Sequence, residues 1–155
     1  MKLFVDVDDT LILYTQNHTW NLEDTVSYTV NVPLIDALEK WQKIYPDEYL
    51  IIWSGTGTEW ASEVTKAFLT HLNVHMTGSK LSLADMTTSQ DLAIEDRPQG
   101  SRHYLRRFGK VFSPDEFIQN VAADITIEQL ERQGKIEPLS AHQTVLLERL
   151  KLGKQ

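Results

Sequence analysis

Short, unbroken apolar runs alternate along this chain with stretches whose apolar residues recur at helical spacing. The runs are Leu3 to Val7, Tyr49 to Trp53, Asn73 to Met76, Leu92 to Ile94 and Lys110 to Phe112. A strand buried on both faces reads this way because neither face meets water. The first helical stretch has Pro33 in its opening turn, then Leu34, Ile35, Leu38 and Trp41. A second opens at Thr58 and carries Trp60, Val64, Ala67 and Phe68, and a third runs from Ser101 to Phe108 with Gly109 as its stop. Proline in a first turn and glycine just past an end are the expected helix punctuation. Strand–helix alternation of this kind predicts an α/β fold, a three-layer Rossmann-like parallel sheet flanked by helices.

Two regions depart from the pattern. Residues Ile12 to Val32 are rich in Thr, Asn and aromatics, and Ser27 to Val32 partly alternate. They predict a loop or short hairpin over one end of the sheet, too short for a separate cap. After Phe112 the strand signal ends. Ser113-Pro114-Asp115-Glu116, Thr126-Ile127-Glu128-Gln129 (running to near Gly134) and Ser140 each start a helix, the last carrying Val145, Leu146, Leu147, Leu150 and Leu152. The expected organisation is one domain, with a core over 1–120 and a helical extension over 121–155. The last helix packs on the core or on a second subunit, which would make a homo-oligomer.

Composition narrows the class. The 155 residues carry a formal charge of −7, which argues against a surface coated for nucleic acid but leaves room for a local basic patch. Without cysteine there is no disulfide, thiolate metal site or cysteine nucleophile. No apolar run approaches the roughly 18 residues of a spanning helix, and the N-terminus lacks a signal-peptide pattern. A cytoplasmic protein without membrane attachment is the expectation. His71, His75 and His142 show no ligand spacing.

The first strand breaks at once into acids, Asp6-Val7-Asp8-Asp9-Thr10. Ligands of open parallel sheets bind beyond the carboxyl ends of the strands. Carboxylates so close repel unless a cation neutralises them, and Mg²⁺ takes oxygen ligands from few protein carboxylates. Other candidate strands end in matching chemistry. Trp53-Ser54-Gly55-Thr56-Gly57 offers a small hydroxyl and open backbone N–H groups to a phosphate. Lys80 follows Gly78-Ser79 in a turn that could open a helix, and Glu95-Asp96-Arg97 follows Leu92-Ala93-Ile94. Nucleophile, phosphate donors, fixed positive charge and metal ligands are the inventory of phosphoryl transfer to a carboxylate.

These residues, in this order, resemble the haloacid dehalogenase (HAD) superfamily, whose phosphatases carry Asp-x-Asp-x-Thr. Asp6, Asp8 and Thr10 match that signature, Ser54 the second motif, Lys80 the third, and Glu95 with Asp96 the fourth. The likeness covers roughly residues 1–115 and implies a capless, Mg²⁺-dependent phosphatase with a HAD-like fold. It implies Asp6 as nucleophile and Asp8 as general acid, then base. It also implies Mg²⁺ held by the Asp6 carboxylate, the Asp8 backbone carbonyl and Asp96 or Glu95, and phosphoryl oxygens held by Ser54, the Gly55 N–H and Lys80, with Thr10 a further phosphate- or substrate-binding residue. Glu95 stands where Asp is more usual, so Asp96 is the expected direct ligand. Asp9 is expected to be solvated or to cap a turn.

A shorter likeness concerns Ala93 to Gln99 followed by Tyr104-Leu105-Arg106-Arg107-Phe108-Gly109, similar to the phosphatase domain of phage polynucleotide kinase/phosphatase proteins. The sequence carries no Gly-rich P-loop, so no kinase half is implied. Arg97, Arg102, Arg106, Arg107 and Lys110 concentrate positive charge here. That charge would either steer a polyanionic substrate or form a solvated face. Arg97 adjoins the motif and is the candidate substrate residue. Tyr14, His18, Trp20 and Tyr28 would pack a flap or stack on a base. A nucleotide or nucleic-acid 3′-end is the preferred substrate class. The alternatives are a metabolite or phosphoprotein phosphatase and a non-catalytic binding or assembly module.

Overall fold

The structure, a computed structural model, describes residues 1–14, 28–98, 103–121 and 140–153, with positions 123, 131 and 134. Five strands form one parallel sheet: β1 (Lys2–Asp6), β4 (Tyr49–Ser54), β5 (Met76–Ser79), β6 (Leu92–Ile94) and β7 (Lys110–Phe112), in the order β5-β4-β1-β6-β7. β1 is central because its residues are apolar on both sides. Leu3 and Val5 enter a core with Leu34, Ile35, Leu38 and Trp41 of α1 (Val32–Ile44) and Ala61 and Val64 of α2 (Thr58–Phe68). Phe4, one residue out of phase, faces the opposite side with Ile51, Trp53, Ala93, Leu105 and Phe108. There the Phe4 ring centroid lies 4.8 Å from that of Trp53 in a tilted contact and 5.3 Å from that of Phe108 edge-on. This α/β arrangement, a five-stranded parallel sheet flanked by helices, is compatible with a Rossmann-like three-layer fold.

The chain moves outward from β1 through β4 to β5, then returns to the other side of β1 for β6 and β7. Strand order therefore reverses at β1, where open α/β sheets place their ligand crevice. The expected hairpin is present: β2 (Ile12–Tyr14) pairs antiparallel with β3 (Tyr28–Val30). Asn31 fastens it by donating its amide to the Thr10 carbonyl at 2.9 Å, while its side-chain oxygen caps α1 at the Leu34 N–H. Residues 15–27, with His18 and Trp20, lie outside the described residues.

Two elements differ from the sequence reading. The third strand is Met76–Ser79, not Asn73 to Met76. Gly78 has weak strand propensity, but pairing of Thr77, Gly78 and Ser79 with Ile52, Trp53 and Ser54 fixes the segment in the sheet. Gly78 leaves room for Leu83, whose Cδ1 would stand 2.5 Å from a Cβ built there, so a larger residue would have to displace that side chain. Lys80 consequently follows a strand, not a turn, and opens the short helix α3 (Lys80–Leu83) with Ser79 as cap. The stretch placed at Ser101 to Phe108 is a 3₁₀ turn over His103–Arg107, with 99–102 outside the described residues.

Past β7, residues 114–121 form α4, whose start is a reciprocal capping box between Ser113 and Glu116. Ser140 and Gln143 make the same box before α5 (Ala141–Gly153). The helix expected from Thr126 lies largely outside the described residues. Among the described residues no helix is long and apolar enough to cross a membrane.

Asp91 joins the chain start to the sheet. It is 1 % exposed and accepts from the Lys2 N–H at 2.8 Å and from the Thr88 N–H and hydroxyl at 2.9 and 3.1 Å, and it pairs with the Lys2 ammonium at 3.1 Å. Burial alone would raise this carboxyl, but the Lys2 and Thr88 donors outweigh it and hold its pKa below the ordinary value of 3.8. A depressed carboxyl stabilises the fold above its unfolded pKa and loses that contribution as pH falls through the folded value. Asp91→Asn is expected to cost about 1.5–3 kcal/mol near neutrality. The gap from the parent should close in urea melts taken at successively lower pH below 3.8.

Candidate active site

The carboxyl ends of β1, β4, β5 and β6 meet around a cleft of about 310 Å³ lined by Asp6, Asp8, Asp9, Gly55, Thr56, Lys80, Asp96 and Arg97. Asp6 is the last residue of β1 and is 4 % exposed. Its Oδ1 lies 2.8 Å from the Lys80 ammonium, and its Oδ2 accepts from the Thr10 hydroxyl at 3.1 Å. Thr10 is wholly buried, so it orients Asp6 from behind and does not face the cleft. The chain turns tightly after β1, with the Leu11 and Ile12 N–H groups both on the Val7 carbonyl. Asp9 takes a left-handed φ of 57° in that turn and accepts from the Tyr14 N–H at 3.4 Å.

Lys80, at the end of β5, reaches across to Asp6 and also to Glu95 Oε2 at 3.1 Å. Both carboxylates are pushed upward. For Asp6 burial is the main cause, opposed by Lys80 and reinforced by Asp96. Glu95, just past β6, rises to about 7 through burial, then the Asp6 charge, with Lys80 opposing. One cation thus serves two buried acids, and the partly exposed Asp96 adds another carboxylate beside them. Oxygens of Asp6, Glu95 and Asp96 lie within 4.8 Å of one another. Glu95 Oε1 is buried and has no hydrogen-bond partner among the described residues. A cluster of carboxylate oxygens with an orphaned acceptor and an electrostatic deficit fits a hard divalent cation. Nothing in it distinguishes Mg²⁺ from other such ions.

Asp8 is held differently. Its Oδ2 accepts from the Ser54 and Thr56 hydroxyls at 3.2 and 3.1 Å. Its Oδ1 accepts from the Tyr14 hydroxyl at 2.7 Å and the Trp60 indole N–H at 3.0 Å. Burial and the Asp8 carboxylate push the Tyr14 hydroxyl far above the usual phenol value, so it keeps its proton. Ser54 Oγ also accepts from the Thr56 N–H at 3.0 Å, which curls the loop after β4. Gly57 closes that loop with φ 140°, a conformation that favours glycine, and starts α2. Nothing lies within 4 Å of a Cβ built on Gly55, so its exposed backbone is open to a ligand.

Asp6, Asp8, Ser54, Gly55, Lys80, Glu95 and Asp96 are thus gathered at one sheet edge. Arg97 stands on the cleft rim, its side chain 84 % exposed and its Nε 3.9 Å from Asp96. Of the rest of the basic patch, two described residues have partners of their own. Arg107 donates to the Ala84 carbonyl, Lys110 lies over the Phe112 ring, and Arg102 is outside the described residues. His75 is structural, accepting the Leu50 N–H at 3.0 Å. Sequence reasoning missed the polar duty of Trp60 and Tyr14. Trp60 fits an apolar helix stripe and Tyr14 a flap, and only their N–H and O–H groups signalled a second use. Comparison with protein-family models, curated proteins and solved structures returned no match.

Proposed function

We propose that the protein is a Mg²⁺-dependent phosphatase of the HAD type, hydrolysing a phosphomonoester through an aspartyl-phosphate. The observation that carries this reading is the pairing of two unlike carboxylates at the reversal of strand order. Asp6 is salt-bridged to a buried lysine, and Asp8, two residues on, is tied to the loop after β4. In the first half-reaction an Asp6 oxygen bonds to phosphorus and the bond to the leaving oxygen breaks, its electron pair departing with that oxygen. Asp8 supplies the proton. In the second, Asp8 takes a proton from the water that attacks phosphorus, and Asp6 is released as carboxylate. In this reading Lys80 and the Ser54–Gly55 loop hold the phosphoryl oxygens by preorganised charge and donors. Asp6, Asp96 and the Asp8 carbonyl would hold Mg²⁺, with Glu95 behind them. When bound, the ion offsets charge on the phosphoryl oxygens.

The preferred substrate is a nucleotide or a nucleic-acid 3′-end. The open cleft and the exposed Arg97 on its rim support a polyanion. Exposed Val145, Leu146 and Leu152 on α5 suit self-association through the C-terminal helices. The test is phosphate release, with and without Mg²⁺, from para-nitrophenyl phosphate, a mononucleotide panel and a 3′-phosphorylated oligonucleotide. Metal-dependent release, fastest from the nucleotide or oligonucleotide and weakened by salt, is expected. Faster release from a sugar phosphate or phosphopeptide would shift the substrate class. No release from any ester by folded protein, with a stable dimer, would favour a non-catalytic assembly module.

A further inference from the structure

We propose that Trp60 and Tyr14 position the general acid, fixing Asp8 so that Oδ2 is the oxygen that exchanges protons with the leaving group and with water. This rests on the phosphatase reading and assigns a role to two side chains that the motif residues do not include. Trp60 lies in the first turn of α2 and Tyr14 at the end of β2, so two separate elements converge on one oxygen, at 3.0 and 2.7 Å. An indole N–H can only donate. With Trp60 on it, Oδ1 is held as an acceptor, and a proton there would abut another N–H. The hydroxyls facing Oδ2, Ser54 at 3.2 Å and Thr56 at 3.1 Å, can rotate to accept or donate, so they accommodate either state of that oxygen. Oδ2 also points to the loop whose Ser54 and Gly55 are placed for the phosphoryl group. The proton on Oδ2 then follows the electron pair onto the leaving oxygen. The same atom later takes the proton of the attacking water as the bond between Asp6 and phosphorus breaks.

The arrangement ties the hairpin to the chemistry. Without the two donors Asp8 keeps its Ser54 and Thr56 contacts but loses what selects its rotamer and the face it presents. The reaction should then lean more heavily on the leaving group's own stability.

The experiment measures kcat and KM for a series of aryl phosphates whose phenols become progressively less acidic. It compares the parent, Trp60→Phe, Tyr14→Phe and both substitutions in an Asp8→Asn background. The expected result is a kcat loss of roughly 10–100-fold for the poorest leaving group, shrinking toward none for para-nitrophenyl phosphate, with KM little changed. Neither substitution should lower activity further once Asp8→Asn is in place. Equal losses across the series, a change confined to KM, or full additivity with Asp8→Asn would overturn the proposal. No release by the parent would refute the phosphatase reading itself. Asp6-dependent release indifferent to both substitutions would refute this inference alone. Should either variant misfold, the indole ¹⁵N–¹H resonance of Trp60 gives a second readout in otherwise intact protein. Asp8→Ala should move it strongly and Asp9→Ala should not, and the reverse pattern would overturn the proposal.

Discussion

Asp6→Asn is expected to remove phosphate release almost completely, by at least about 10⁴-fold in kcat, as for other enzymes stripped of their nucleophile. An amide keeps the shape of the carboxylate but cannot form the covalent phosphoryl bond. The fold should survive. The oxygen of the new amide can still accept from Thr10, and Lys80 keeps Glu95 as its partner at 3.1 Å. The discriminating comparison is with Asp8→Asn. Loss of a general acid typically costs about 10²–10⁴-fold and spares good leaving groups. Asp6→Asn should therefore abolish release from para-nitrophenyl phosphate, whereas Asp8→Asn should retain a slow first half-reaction with it. Comparable, modest losses in both variants would mean that neither acid is the nucleophile.

Lys80→Met is expected to damage both stability and activity. The ammonium-bearing residue is 8 % exposed, lies 2.8 Å from Asp6 and 3.1 Å from Glu95, and sits 5.8 Å from the Trp53 ring centroid. Removing it strands two buried carboxylates, and breaking a buried ion pair in this way costs about 3–5 kcal/mol. Adding Glu95→Gln should recover much of that loss, because one of the stranded charges goes with it. Mg²⁺ should also recover part, by about 2.7 kcal/mol at a hundred times its dissociation constant for a site it binds only in the folded protein. Activity should not return in the double variant, since under the proposed mechanism the missing charge also holds the phosphoryl oxygens, a loss of roughly 10²–10³-fold. Urea midpoints and kcat for the parent, single and double variants separate the two effects. A Lys80→Met protein as stable and active as the parent would remove Lys80 from the site.

Much of this architecture is legible in the residues because burial on both faces leaves a simple mark. Leu3 to Val5, Leu50 to Trp53 and Ala93 to Ile94 are apolar without alternation, and all lie inside the sheet. Acids and small hydroxyls at the ends of those runs could be placed at the sheet edge for the same reason. What was less legible depends on contacts between distant parts. β5 is a strand because β4 pairs with it, although Gly78-Ser79-Lys80 reads as a turn. Lys80 is named as a site lysine by its motif, but its reach from the end of β5 to both Asp6 and Glu95 is not visible in the sequence. Thr10 reads as a cleft residue, yet the turn after β1 folds it inward onto Asp6. The donors on Asp8 come from positions 14 and 60, whose spacing in the chain carries no signal for a shared partner.

The proposed mechanism stands or falls on Asp6 taking the phosphoryl group. The decisive experiment is an acid quench of Asp8→Asn protein turning over para-nitrophenyl phosphate with Mg²⁺, followed by peptide mass spectrometry. Asp8→Asn slows release of the group more than its capture from this ester, so a phosphoryl adduct is expected on the peptide carrying Asp6. That adduct should vanish when Asp6→Asn is added. An adduct on another residue, or phosphate release that persists without the Asp6 carboxylate, would contradict the mechanism.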